Sequence, residues 1–280
     1  MDQIALYNKN SFLCSKITTQ NYSTSFSLGI LSLNKKYRDP IYGIYGFVRF
    51  ADEIVDTFHE HQKHELINRF EHDTYKAVEE KISLNPILHS FQMVVNEYGI
   101  EKDLIAHFLK SMKMDLEQKD YQQQSFEDYI LGSAEVVGLM CLRVFTEGNE
   151  DFYQKLKPQA MKLGAAFQKI NFLRDLKADY FALGRAYFPG FELEKFNEQK
   201  KKQIEIDIEK DFKAGLEGIK QLPYGARFGV YVAYVYYYAL FTKIQSVSAS
   251  NILSERIRIP DFRKYALIVS CYFKHALNII

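Results

Sequence analysis

Val230-Tyr-Val-Ala-Tyr-Val-Tyr-Tyr-Tyr238 is the run on which the fold class turns. Its β-branched and aromatic residues favour a strand by local propensity. Elsewhere apolar residues recur mostly at three- and four-residue intervals, and no Asn-Gly or Asp-Gly hairpin signal occurs. One strand in such a chain would leave its backbone groups without partners. The run therefore reads as a buried helix, and residues 1–280 as a single all-α domain. The six prolines fall at seams between periodic segments, where proline opens a helix. Pro40 is expected to start a helix reaching about Phe58, and Pro158 one reaching about Phe181. Ser125 with Asp128 resembles a variant capping box.

A chain of 280 residues, 47% apolar and 25% charged, can bury a sizeable core, which excludes wholesale disorder and collagen-like fibre. Thirty-six basic and 35 acidic residues leave a net charge of +1, which argues against an electrostatic nucleic-acid binder. Cys14, Cys141 and Cys271 are too scattered for a disulfide framework or zinc site and read as buried thiols in a reducing cytosol. His59, His61 and His64 follow a helix end among charged residues and read as a solvated face. No signal peptide is apparent. Val230–Phe241 and Tyr265–Phe273 both fall short of the ~20 residues of a spanning helix. The expected location is cytoplasmic, with an apolar C-terminal segment compatible with peripheral membrane association.

Two helical stripes carry the chemistry. On a wheel, Tyr45, Arg49, Asp52 and Asp56 fall within about 60° of one another. Gln168, Asn171, Asp175 and Asp179 share a second stripe, flanked by Leu163, Phe167, Ile170 and Leu173. Aspartates four apart repel by roughly 0.2–0.5 kcal/mol, and more where water is scarce. A divalent cation offsets that repulsion. Carboxylates and an Asn carbonyl are hard oxygen donors suited to Mg²⁺ (or Mn²⁺), which takes its other ligands from water and phosphate. A lone Asp-x-x-x-Asp is more often a solvated face; two arrays with Arg or Gln on the same stripe and apolar flanks point to a site.

These segments resemble the squalene and phytoene synthase family. The first match is Tyr42-Gly-Ile-Tyr-Gly-Phe-Val-Arg-Phe-Ala-Asp-Glu-Ile-Val-Asp56; the second is Gln168-Lys-Ile-Asn-Phe-Leu-Arg-Asp-Leu-Lys-Ala-Asp179, continued by Gly184-Arg-Ala-Tyr-Phe-Pro189. Weaker echoes are Ser23-Thr-Ser-Phe26, Gly132 to Gly138, and Ser254-Glu-Arg256. The resemblance implies an all-helical isoprenoid synthase fold with a central cavity. There, two allylic prenyl diphosphates are joined head to head through a cyclopropyl intermediate. By motif position, Asp52, Asp56, Asn171, Asp175 and Asp179 would carry Mg²⁺. Ser23, Ser25, Tyr45, Arg49, Gln168, Arg174, Tyr187, Tyr238 and Arg256 would contact substrate, with Tyr45, Arg49 and the four aspartates catalytic.

The phytoene synthase branch is nearest, with geranylgeranyl diphosphate as expected substrate. The alternatives are squalene or dehydrosqualene synthesis from farnesyl diphosphate, with NADPH needed only for squalene, and a non-catalytic helical protein that binds partners. Tyr and Phe make up 15% of the chain, with no Trp, and suit a dry pocket whose ring faces stabilise carbocations. Small residues (Gly132, Ala134, Gly138, Gly164, Ala165, Ala166) serve either a long prenyl chain or close helix packing. The sequence departs from the family at four points. Thr24 stands where a basic residue is common, Leu131 where a Tyr is, and Glu135 where a Gly is. One extra residue precedes Gly184. Tyr129, 200° round an ideal helix from Leu131, is not expected to substitute for the missing Tyr.

Overall fold

The computed structural model describes residues 2–117, 121–192, 195–254, 256–260, 266–267 and 270–273. Among these residues it consists of helices joined by short loops, with no β-strand. The helix that carries the first acidic stripe, α3, must reconcile a polar stripe with an apolar back. It succeeds α1 (Gln3–Tyr22) and α2 (Thr24–Leu31) and spans Lys35–Asp56. Ile41, Ile44, Phe47, Ala51 and Val55 bury its back. Phe47 stacks on Phe91 at 3.9 Å between ring centroids and meets Phe108 at 5.3 Å. These contacts fix α3 against α5 (Pro86–Tyr98) and α6 (Lys102–Glu117), while α4 (Lys63–Glu80) packs alongside.

The second stripe rides on α9 (Glu150–Ala178), which follows α7 (Gln123–Ile130) and α8 (Val136–Thr146). Glycines let its neighbours approach. A Cβ at Gly164 would come within 2.6 Å of the Ala134 carbonyl oxygen, and one at Gly218 of α10 (Glu198–Gln221) within 2.6 Å of Gln159 Cβ. Of the small residues, Gly164, Ala134 and Gly138 line the central cavity, whereas Gly132 packs on α6 at His107 and Ser111. Val230–Tyr238 lies wholly within α11 (Tyr224–Gln245), so tertiary burial overrides the strand propensity of its residues. A last helix, α12, spans Ala249–Ser254.

Several helix starts differ from expectation. Pro40 and Pro158 lie inside α3 and α9 instead of opening them. The starts are set upstream by Asn34 and Asn149, whose side chains accept from the Lys36 and Phe152 amides at 3.2 and 2.9 Å. Side-chain capping of otherwise unpaired amides outweighs the fit of proline to a first turn. Likewise Ser125 sits inside α7, accepting from the Gln122 amide, and Asp128 takes no part in that cap.

Two turns widen to π geometry, Leu131–Glu135 and Asp179–Leu183. The second carries the chain from Asp179 to Gly184, which closes it at φ +66°. The stretch Gln123–Thr146 is long and apolar enough to span a bilayer, but 72% of its most apolar window is buried in the fold, so its apolarity serves the core. Of the stretch Tyr265–Phe273, residues 265, 268 and 269 lie outside the described residues. Cys14 is exposed and Cys141 lines the cavity, contrary to the expectation of three buried thiols; only Cys271 is buried.

Candidate active site

The stripes of α3 and α9 open into one cavity of about 970 Å³. Tyr45, Arg49, Asp52 and Asp56 enter it from α3; Gln168, Asn171, Arg174 and Asp175 enter from α9, with Asp179 at the π turn that follows. Ser23, Ser25, Tyr187 and Arg256 line the same space. Ser23 also caps α2, its hydroxyl accepting from the Phe26 amide at 3.2 Å. Tyr238 does not line the cavity. It turns toward α10, its hydroxyl 3.4 Å from Glu209 and its ring edge-on to Phe212. Its predecessor Tyr237 faces the cavity instead and donates to Asn171 Oδ1 at 3.3 Å. A run apolar on every side gives no phase, so sequence alone could not settle which tyrosine points inward.

The acids do not stand unscreened. Arg49 Nη1 lies 3.7 Å from Asp52, and Arg185 donates to Asp56 at 2.8 Å. Asp175 accepts from Arg174 at 2.5 Å and pairs with Arg256 at 2.6 Å. Arg49 is also bound by Glu53 and lies over the Tyr22 ring at 4.2 Å. The adjacent acids of α3 thus divide their work: Asp52 faces the cavity and Glu53 holds the arginine. Burial pushes Asp52 up to about 7, with Arg49 opposing and Asp56 adding. Burial, then Asp175 and Asp56, push Asp179 up to about 7 as well.

Crowded, reluctant carboxylates mark a site short of positive charge, and their hard oxygens fit a divalent cation. Among the described residues no three acids, histidines or cysteines converge on one point, so an ion here would complete its shell with water or substrate oxygens. The buried Arg49 Nε has no hydrogen-bond partner, which suits a group poised for an anion.

Besides Tyr237, three residues at or beside the cavity were not anticipated from the sequence. Asp115 of α6 is 8% exposed and accepts from Tyr129 at 2.6 Å and Tyr187 at 3.0 Å. Arg185, beside Tyr187 in the second motif's trailing segment, bridges toward Asp56. Tyr129 lines the cavity after all, while Leu131 packs into the core. The two positions do face different ways, as their 200° separation requires, and it is position 129 and not 131 that the packing turns to the cavity. Asp115 did leave a signal: it continues the apolar line of Leu104, Phe108 and Met112, where a carboxylate is out of place. Glu135 lies behind the cavity wall, where burial raises its pKa and Lys162 opposes the rise.

The profile of the squalene/phytoene synthase family matches residues 19–205. The 15-cis-phytoene synthase of Synechococcus elongatus is 26% identical over 281 aligned residues, covering 90% of this chain and 88% of that protein. The presqualene diphosphate synthase of Sinorhizobium fredii is 31% identical over 169, covering 59% of this chain and 58% of that protein. The crystal structure of a dehydrosqualene synthase superposes with a TM-score of 0.80 at 21% identity, covering 95% of this chain and 98% of that one, which shows the same fold. Family profile, helical fold and shared motifs agree: the chain belongs to the squalene/phytoene synthase family of divalent-metal-dependent prenyltransferases.

Proposed function

We propose that residues 1–280 form one prenyl synthase domain that condenses two molecules of geranylgeranyl diphosphate head to head. The product is phytoene, reached through the cyclopropyl prephytoene diphosphate, and the reaction serves carotenoid synthesis. The observation that carries this reading is the opposition of two acid–arginine rows across one large cavity. The phytoene synthase relative aligned over 90% of the chain supports the choice of branch.

Asp52, Asp56, Asn171, Asp175 and Asp179 would hold Mg²⁺, for which Mn²⁺ can substitute. When bound, the ion supplies Lewis-acid neutralisation of the charge on a departing diphosphate. Every other role falls to the chain. Arg49, Arg174 and Arg256 now neutralise aspartates, and each can turn its fork to phosphate oxygens once those acids have another cation. Gln168 and Asn171 orient the same end. Below them Tyr45 packs on Phe26 at 4.7 Å and Tyr237 stacks on Phe167 at 4.1 Å. These faces exclude water from an allylic cation and attract it by about 0.5–2 kcal/mol per ring.

Incubated with geranylgeranyl diphosphate and Mg²⁺, the purified protein is expected to release a C40 hydrocarbon. A C30 product from farnesyl diphosphate alone would transfer the reading to dehydrosqualene synthesis, and one that requires NADPH to squalene synthesis. Failure to bind Mg²⁺–pyrophosphate would favour a non-catalytic partner-binding protein.

The raised aspartates give a second prediction. At pH 7, Asp52 and Asp179 are each about half protonated, and metal ligation needs the ionised form. Binding of Mg²⁺–pyrophosphate is therefore expected to release roughly one proton in all, and affinity should fall as pH drops below 7. Calorimetry at pH 7 in two buffers of different ionisation enthalpy reads that release directly. Zero release would place these carboxylates outside the binding site.

A further inference from the structure

Among the described residues four arginines line the cavity, Arg49, Arg174, Arg256 and Arg258, and no lysine or histidine does. Arg49 pairs with Asp52 and Glu53, and Arg174 and Arg256 both pair with Asp175. The Arg258 guanidinium has no carboxylate partner among the described residues. It is nevertheless held in place. After α12 the chain from 256 to 260 runs without helix, and burial alternates along it: Ile257 and Ile259 are buried, whereas Arg256 and Arg258 are exposed. That alternation sets the two arginines on one side of the strap. Arg256 reaches Asp175 at 2.6 Å, so the shared side is the cavity side. Lys243 of α11 donates to the Arg258 carbonyl at 2.6 Å and fixes the strap from outside. Position 24, where a basic residue is common in the family, holds Thr24, which lines the same cavity without a charge.

We propose that Arg258 grips the diphosphate of the acceptor, the prenyl unit that keeps its diphosphate while the donor's departs. The assignment to the acceptor rests on the head-to-head reading above; the anion site itself does not. Two substrates bring two diphosphates into one cavity. The donor's departs beside the acidic rows, the metal-holding side under the proposed function. The acceptor's stays intact while the two units are joined, so it needs a counter-charge and no Lewis acid. Arg258 offers that charge at once. It exchanges water for phosphate oxygens and breaks no ion pair to do so. Arg49, Arg174 and Arg256 must first be released from their carboxylates. The two kinds of arginine thus separate the two anions by their dependence on metal.

Arg258 is a binding residue in this scheme and takes no part in bond making. Its planar fork presents paired donors to phosphate oxygens, which a lysine ammonium cannot match. An exposed guanidinium is partly screened by water, so its loss is expected to weaken binding by about tenfold, well short of the effect of losing a metal-holding aspartate. The competing role is a solvated side chain that touches no ligand.

Arg258→Gln removes the charge and leaves Ile257 and Ile259 to hold the strap, so its melting temperature is expected to match the parent's. With EDTA present, calorimetric titration with inorganic pyrophosphate should detect binding to the parent that weakens about tenfold in the variant. In turnover, the geranylgeranyl diphosphate concentration giving half-maximal joining should rise about tenfold, with the maximal rate within about twofold and the Mg²⁺ requirement unchanged. Arg258→Lys keeps the charge and loses the fork, and should fall between the two. Metal-free pyrophosphate affinity that is equal in parent and Arg258→Gln, or absent from both, would overturn the proposal. A fall in maximal rate with half-saturation unchanged would place Arg258 on the departing diphosphate and overturn its assignment to the acceptor. If the parent joins no geranylgeranyl diphosphate but Arg258→Gln still loses metal-free pyrophosphate affinity, the head-to-head reading fails and the anion site stands.

Discussion

Asp52→Ala is expected to lower turnover by on the order of 10³-fold without loss of helical signal or melting temperature. Under the proposed function it removes a metal-holding oxygen from a site where charge stabilisation is most of the catalysis. It does not remove a support of the fold. Asp52 is held above its ordinary pKa by burial and by Asp56, so folding favours its neutral form. A carboxylate raised in the folded state binds more protons there than when unfolded, so its contribution to stability declines as pH rises from about 4 to about 7. Alanine at this position should therefore leave the metal-free protein as stable at pH 8 as the parent, or more so. Asp175→Ala should match the activity loss. It also deprives Arg174 and Arg256 of a shared partner, so its melting temperature is the less clean readout. Steady-state turnover with circular dichroism and thermal melts checks both. Retained turnover in either variant would remove that aspartate from the machinery.

Phe47→Ala should produce the opposite pattern. The ring is wholly buried and touches Phe91, Phe70 and Phe108, which come from α5, α4 and α6, three of the helices packed on α3. Truncation leaves a cavity and forfeits these ring contacts, a loss of about 3–5 kcal/mol in unfolding free energy. Denaturant titration reads that value, and a loss below about 1 kcal/mol would show that the ring does not anchor α3. Because the acidic stripe is on the other face of the same helix, enzyme that remains folded at low temperature should keep most of its turnover. Together the two variants separate what α3 does for the site from what it does for the fold.

The stripes were legible because a helix has one period. With 3.6 residues per turn, acids at four-residue spacing had to share a face, and apolar neighbours had to turn that face toward the interior. Reading failed where spacing gave a helix's period without its absolute phase. Tyr129 seemed misplaced because position 131 was expected to face inward, whereas the packing turns 129 to the cavity and Leu131 to the core. Tyr238 lost its place to Tyr237 because an apolar run shows no inward side. Arg185 and Asp115 were invisible as a pair, because 70 residues of chain separate two groups that meet through Tyr187.

What the linear order of residues determined by itself was the all-helical class, the two acidic faces and the motifs that bind them into one family, since each follows from spacing along a single helix. The tertiary structure alone decided which arginine neutralises which aspartate, which tyrosine faces the cavity, and that Asp115 meets the hydroxyls of Tyr129 and Tyr187. Those pairings join side chains from different helices, and their distances depend on how the helices pack, a matter of close contact between surfaces that no periodicity encodes.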